Sequence, residues 1–344
     1  MRKKEIPYPT REELKKIAGA GDINQLEEIY EQHGETVLVK MLLCDTICKE
    51  TLEYIISKGV DLKEYSNRIL EYHMYDIHSG DIKMLIEHGV EPYIYAREFW
   101  IVAASSHQIK AVKTALEMGY DMYAKNCTLG TAVYAALRAG DYGDFPRMEK
   151  IVRLFLEHGY KISEEEKQAF IRQAEDYEFR YDDLKEDSWY ADKIDGIEEA
   201  YQNLYKLLDI TPIKRYVKHD GVSEIQIPEG SVSEQFEVMY NTMVPGRGRA
   251  KSMQGEAIRI IGTINVGLSG GRENLNVDEK RMFKHLLEFV QQGNSLSSDE
   301  IERVKALRIT RLNDDKIMEL AELTIKWISM NTSPFPLPEV TYKK

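Results

Sequence analysis

One short ending recurs along the first half of the chain. Gln32-His33-Gly34, Ser57-Lys58-Gly59, Glu87-His88-Gly89, Glu117-Met118-Gly119 and Glu157-His158-Gly159 place glycines at intervals of 25, 30, 30 and 40 residues. Apolar pairs precede most of them: Ile55-Ile56, Leu85-Ile86, Ala115-Leu116 and Leu154-Phe155. A glycine just after an apolar helical stripe ends the helix in the left-handed conformation, where a Cβ would be costly. The recurrence predicts short helices, each stopped by its own glycine. Such helices are marginal alone in water, and stacking on their neighbours gives them a continuous core. The expected fold is therefore all-α, with helix pairs stacked through about residue 211 and almost no sheet.

The period and its glycine resemble the ankyrin repeat, about 33 residues with two short helices and a turn. The best local match is Thr131-Ala132-Val133-Tyr134-Ala135-Ala136-Leu137-Arg138-Ala139-Gly140-Asp141, which keeps the spacing from the helix-opening Thr to the closing Gly. Ala132 replaces the family's Pro and Tyr134 its His. Ala103-Ala104-Ser105-Ser106-His107, followed by Ile109, Val112, Leu116 and Gly119, is a second match, and Gly21-Asp22 and Gly80-Asp81 are weaker echoes. The likeness covers about residues 9–163 and extends at most to 211. It implies an ankyrin-like α-solenoid that binds a protein rather than catalyses a reaction. The sequence resembles degenerate ankyrin proteins of bacteria and their phages. Some of these act as immunity or counter-defence factors that block a toxic enzyme.

Two insertions interrupt the array. Asp141–Arg147 lengthens one loop. Residues 175–195 carry nine acidic and three basic side chains, interleaved with Tyr177, Phe179, Tyr181, Trp189 and Tyr190. This stretch reads either as a solvated cap on the array or as a binding element with Tyr181 and Trp189 as anchors. Residues 212–232 read as a linker punctuated by Pro212, Gly221, Pro228 and Gly230, with a brief strand over Ser223–Ile227. Ser231-Val232-Ser233-Glu234 is a capping box that opens a small helical domain over 233–344. The repeat domain is assigned to 1–211.

Charge is unevenly divided. Residues 1–211 hold 27 basic and 40 acidic side chains, a net of −13, whereas 212–344 hold 19 and 18, a net of +1. An acidic half suits a basic protein partner and repels nucleic-acid phosphates, although solubility accounts for it equally well. Arg303, Lys305, Arg308, Arg311 and Lys316 sit beside Asp314 and Asp315, which argues against a nucleic-acid footprint. No run is long enough to span a membrane. Met1-Arg2-Lys3-Lys4-Glu5 leads into charged sequence without the apolar core of a secretory signal, and three cysteines make no disulfide framework. A cytoplasmic setting is expected.

Candidate partner-binding residues are those at the expected turn tips, Asp61–Tyr65, Glu91–Tyr95 and Asp121–Lys125. They supply Tyr65, Tyr93, Tyr95 and Tyr123 beside Glu91 and Asp121. Tyrosines gain contact area at low entropy cost, and the acids steer a basic partner. Packing within the turns is the competing reading. A second candidate is the Gly-rich basic stretch Gly246–Arg259, where Arg247, Arg249, Lys251, Ser252 and Arg259 could meet an anion at a helix N-terminus. It is not a P-loop, because Ala250 stands where glycine must precede the lysine. Glu256 and Arg259, three apart, could instead pair and dock the loop structurally.

Cys44 and Cys48 lack further ligands at zinc spacing and read as buried thiols, with Cys127 as packing. His33, His88 and His158 precede capping glycines, where a polar or cationic side chain suits a helix C-terminus. No catalytic residue, metal or cofactor is assigned. The sequence thus reads as a protein-binding module, in its sharpest form an acidic immunity or counter-defence factor against a basic toxic enzyme. The alternatives are an anion- or nucleotide-binding protein or enzyme using Gly246–Arg259, and a plain scaffold.

Overall fold

All five recurrent glycines, Gly34, Gly59, Gly89, Gly119 and Gly159, have positive φ, between 67° and 111°. A Cβ at any of them would meet nothing within 4 Å, so the constraint is the backbone conformation and not space. In the computed structural model, residues 7–44, 46–75, 79–269, 274–307 and 314–343 are described. The Met1–Glu5 stretch, Arg308 and Arg311 lie outside them, as does the side chain of Asp314. Among the described residues the chain is all-α, with seventeen α-helices and one two-stranded ribbon.

The chain divides into two compact units. The first comprises Met1–Ala174 and Asp192–Pro212. It contains α1 (Arg11–Ala20), α2 (Ile23–His33), α3 (Glu35–Met41), α4 (Lys49–Ser57), α5 (Leu62–His73), α6 (Ile82–Glu87), α7 (Phe99–Ser105), α8 (Ile109–Glu117), α9 (Ala132–Arg138), α10 (Phe145–Glu157) and α12 (Ile194–Leu208). The start of α11 (Glu164–Glu186) also belongs to it. Side-chain caps open several helices: Thr10 and Glu13 form a capping box on α1, Asp22 caps α2, and Asp61 caps α5.

Packing in this unit runs between near neighbours in the chain. α2 lies on α3 and α4, α7 on α8 and α9, and α10 on α8, α9 and α12. Aromatic rings fill the end of this core, with Phe145 stacked on Tyr201 at 5.5 Å and Phe170 edge-on to Tyr205 at 5.3 Å. Thr131 caps α9 through the Tyr134 amide, and its hydroxyl donates to the buried Glu166 carboxylate at 2.5 Å. The Nδ1 atoms of His88 and His158 each lie 2.8 Å from the carbonyl oxygen four residues back, tying down the last helical turn. Cys44 is buried, Cys48 half-buried and Cys127 exposed, so the packing role expected for Cys127 does not hold.

The second unit comprises Glu175–Ala191 and Ile213–Lys344. It holds the end of α11 together with α13 (Val232–Met243), α14 (Met253–Ser269), α15 (Val277–Phe289), α16 (Ser298–Ala306) and α17 (Asp314–Ser329). α14 packs on α13, α15 and α17, and Trp327 of α17 is fully buried with its indole N–H on the Gln292 carbonyl at 3.0 Å. Pro334, Pro336 and Pro338 follow in a non-helical tail.

Two boundaries differ from the sequence reading. Residues 175–191 group with the second unit and not with the first. Glu178 accepts two hydrogen bonds from Arg215, the Arg215 guanidinium lies 3.4 Å from the Tyr181 ring centroid, and Phe179 stacks on Tyr240 at 5.5 Å. Glu178, Phe179 and Tyr181 are therefore partnered within the second unit, whereas Asp182, Glu186 and Trp189 stay exposed. Nor is 212–232 a free linker: His219 N–H donates to the Thr242 carbonyl, and Ile225 is buried with its N–H on the Thr332 carbonyl. The strand expected over Ser223–Ile227 does not form.

Regrouping the chain also regroups the charge. Residues 175–191 carry seven acidic and two basic side chains. Counted with the unit in which they pack, the first unit has 25 basic and 33 acidic residues, a net of −8, and the second 21 and 25, a net of −4. Both units are acidic, and the contrast is smaller than the sequence division suggests.

Candidate functional site

The most exposed aromatic feature of the first unit is a ribbon between α6 and α7. Strands β1 (Tyr93–Ile94) and β2 (Arg97–Glu98) pair antiparallel, with Tyr93 opposite Glu98 and Ile94 opposite Arg97. Ile94 is buried and anchors the ribbon. The two residues joining the strands, Tyr95 and Ala96, have φ of 49° and 59°. Positive φ at both central positions is the requirement of a type I′ hairpin turn, which Asn-Gly usually meets. For a residue with a Cβ this conformation costs about 1–2 kcal/mol.

Two residues of α5 hold the turn. Asn67 Oδ1 accepts the Tyr95 N–H at 2.5 Å, and Glu71 Oε2 accepts the Tyr95 hydroxyl at 3.1 Å. Tyr95 nonetheless stays 63% exposed, and Tyr93 beside it 45%. The Glu71 carboxylate raises the Tyr95 phenol above its ordinary pKa. Glu91 enters the ribbon with its N–H on the Ser66 hydroxyl at 2.9 Å, and its exposed carboxylate lies 3.8 Å from Lys63. That pair is too exposed to contribute much.

The turn after α8 presents Tyr123 in another way. Asp121 Oδ1 accepts the Tyr123 N–H at 2.9 Å, the Tyr123 ring stacks on Tyr160 at 4.6 Å, and its hydroxyl accepts the Lys161 N–H at 3.1 Å. Tyr123 is 49% exposed, so one face is fixed and the other is open. Tyr65 is not at a tip. Asp61 caps α5, so residues from Leu62 onward are helical and Tyr65 lies half-buried on that helix. Of the predicted partner residues, the structure puts Glu91, Tyr93 and Tyr95 together on one ribbon and Asp121 with Tyr123 on one turn. Tyr181 and Trp189 belong to the second unit, where Tyr181 is half covered by Arg215 and Trp189 is 68% exposed. Asn67, Glu71 and Tyr160, which hold the tips, are absent from the sequence reading. The Asn67–Glu71 spacing of one helical turn was the available signal.

The Gly-rich basic stretch is committed internally. Arg247 pairs with Asp187 at 2.6 Å. The Trp189 N–H and then Arg247 hold the Asp187 carboxyl below its usual pKa. Arg249 donates to the Tyr342 carbonyl at 2.7 Å, and the Ser252 hydroxyl accepts the Gly255 N–H at the start of α14. Glu256, with no exposed surface, accepts from Arg259, from the Tyr342 hydroxyl and from the Ala250 N–H. Burial and then that carboxylate push the Tyr342 phenol well above its ordinary pKa. Lys251 is exposed. The three arginines proposed for an anion thus already serve the protein's own acceptors, and the stretch joins the tail at Tyr342 to α14.

Among the described residues, no group of three His, Cys, Asp or Glu side chains is placed to hold a metal ion, and no helix is long and apolar enough to cross a membrane. Comparison with family models, curated proteins and solved structures finds no match to the chain.

Proposed function

We propose that the first unit is a protein-binding module and that Tyr93, Tyr95 and Tyr123, flanked by Glu91 and Asp121, form its contact surface. The carrying observation is Tyr95: a non-glycine residue held at positive φ with its ring 63% exposed. Folding alone gains little from an aromatic ring displayed on a strained turn, whereas an interface gains a rigid amphipathic anchor. Tyr123, backed by Tyr160, offers a second anchor with little side-chain entropy left to lose. The net −8 of this unit favours a basic partner through long-range attraction. With the resemblance to ankyrin repeats, the reading becomes a cytoplasmic immunity or counter-defence factor that blocks a basic enzyme by covering it.

The experiment is affinity capture from the native cell with the whole chain, followed by mass spectrometry, beside a variant carrying Tyr93→Ser and Tyr95→Ser. The reading expects a stoichiometric basic protein that the variant fails to retain, and an enzyme activity in that protein which the wild-type chain suppresses. A partner retained equally by the folded variant, or an acidic one, would overturn the reading.

A further inference from the structure

The first unit contains a cavity of about 370 Å³ that the sequence reading did not anticipate. It lies between the start of α1, the end of α3 and α5. Its volume is at the small end of ligand sites. Leu14 and Cys44, both buried, and the half-buried Leu43 give it an apolar floor, and the Tyr8 and Tyr72 rings stand beside them. Arg11 and Lys40 also line the cavity and are exposed, which places their charges at its opening.

Both cations rest on the cavity's own aromatic rings. The Lys40 ammonium lies 4.1 Å from the Tyr8 ring centroid. The Arg11 guanidinium lies 5.4 Å from the Tyr72 ring centroid and donates to the Tyr72 hydroxyl. A ring face occupies only one side of an ammonium that carries three donors. Among the described residues no carboxylate pairs with Lys40. The Cys44 thiol donates to the Lys40 carbonyl at 3.6 Å, which ties the floor to the residue that carries the charge.

No acidic side chain is among the described residues that line this cavity, although the unit as a whole has a net charge of −8. An entering cation would face Arg11 and Lys40 with no carboxylate to offset them. A bare inorganic anion would leave the apolar floor unused, and a neutral apolar molecule would leave the two cations unused. An anion with an apolar body engages both parts. We propose that this cavity binds a small carboxylate with an apolar body, its head on Lys40 and Arg11 and its body over Leu14, Leu43 and Cys44. The planar guanidinium fork of arginine matches the carboxylate shape. The site uses none of the residues assigned to the protein-binding surface and does not rest on that reading.

Isothermal titration of the full chain with 3-phenylpropionate tests this. 3-Phenylpropanol supplies the same body without the charge, 3-phenylpropylamine reverses the charge, and acetate supplies the head alone. 3-Phenylpropionate is expected to bind at millimolar concentration or below, and each of the other three at least about tenfold more weakly. Lys40→Met keeps the apolar stem and removes the charge, and it should weaken 3-phenylpropionate by about tenfold. Lys113→Met, which removes an equal charge from the exposed face of α8, should leave the affinity unchanged. Both lysines are exposed, so both variants are expected to fold, and circular dichroism checks this. Four outcomes would overturn the assignment: no heat at millimolar 3-phenylpropionate, binding of the alcohol or acetate equal to that of the acid, affinity unchanged by Lys40→Met, or an equal loss from Lys113→Met.

Discussion

The Arg259 guanidinium lies along the Glu256 carboxylate on the same face of α14, its Nε at 2.8 Å from Oε2 and a terminal nitrogen at 2.6 Å from Oε1. Neither residue reaches solvent appreciably, with Glu256 fully buried and Arg259 8% exposed. Removing one member of such a pair strands the other's charge, at a cost of about 3–5 kcal/mol. Glu256→Ala is expected to lose that much unfolding free energy in urea. Replacing both residues by methionine should lose less than Glu256→Ala, because no charge is then stranded. Arg247→Ala, whose side chain is 63% exposed in its pair with Asp187, should lose under about 1 kcal/mol. A loss from Glu256→Ala no larger than that from Arg247→Ala would mean that the loop is not anchored through this carboxylate.

The helical class was legible because a capping glycine is a local signal: the residue needs positive φ wherever the rest of the chain goes. The same holds for the Ser231–Glu234 capping box, which forms as expected. Segment 175–191 was misread for the opposite reason. Its acids look solvated until Arg215, 37 residues on, reaches Glu178, and Arg247, 60 residues on, reaches Asp187. Tyr65 was misplaced because an aspartate can open either a turn or a helix: Asp61 takes the Lys63 N–H as Asp121 takes the Tyr123 N–H, and only Asp61 is followed by a helix. Arg11, Lys40 and Tyr72 form no motif, and folding alone brings them to one cavity.

Two glycine substitutions should change stability in opposite directions. Gly140 has φ +82°, and a Cβ there would come within 2.5 Å of both Asp144 Oδ2 and His107 Cε1. His107 is 3% exposed, with its Nε2 2.9 Å from the Ala136 carbonyl oxygen, so it has little room to give. Gly140→Ala should cost the roughly 1–2 kcal/mol of a left-handed alanine plus the displacement of these side chains. Gly196 lies within α12, where a Cβ meets nothing within 4 Å. Gly196→Ala should therefore gain about 0.5–1 kcal/mol through helix propensity. Thermal melts of both variants read the signs directly, and a shared sign would show that the backbone at one of these positions differs from this description.

Tyr95→Gly separates strain from recognition. Glycine meets the φ of 49° without penalty, which returns about 1–2 kcal/mol, against loss of the exposed hydrogen bond to Glu71. The melting temperature should hold or rise. If the tip is an interface anchor, the captured partner should dissociate faster from this variant while its association rate changes little. Glu91→Lys should do the reverse, slowing association in a salt-dependent way. A partner indifferent to both changes would remove the tips from the interface.

Lys218 makes stability depend on pH in an unusual direction. Its ammonium lies 3.8 Å from the Phe179 ring centroid and is partly withdrawn from water. Burial lowers its pKa from an ordinary 10.5 to about 8, with Asp183 and Asp182 opposing the shift. Below about pH 8 both the folded and the unfolded chain hold the proton, and the folded state bears the whole cost of the buried charge. Between pH 8 and 10.5 the unfolded chain keeps the proton while the folded chain has released it, so raising the pH favours folding. Lys218→Met removes this titration and nothing else that titrates. The unfolding free energy of the wild type minus that of the Met variant should rise across this window and level off beyond it. Urea denaturation of both proteins at several pH values through the window measures the difference, and a flat or falling trend would mean that Lys218 is solvated as an ordinary surface lysine.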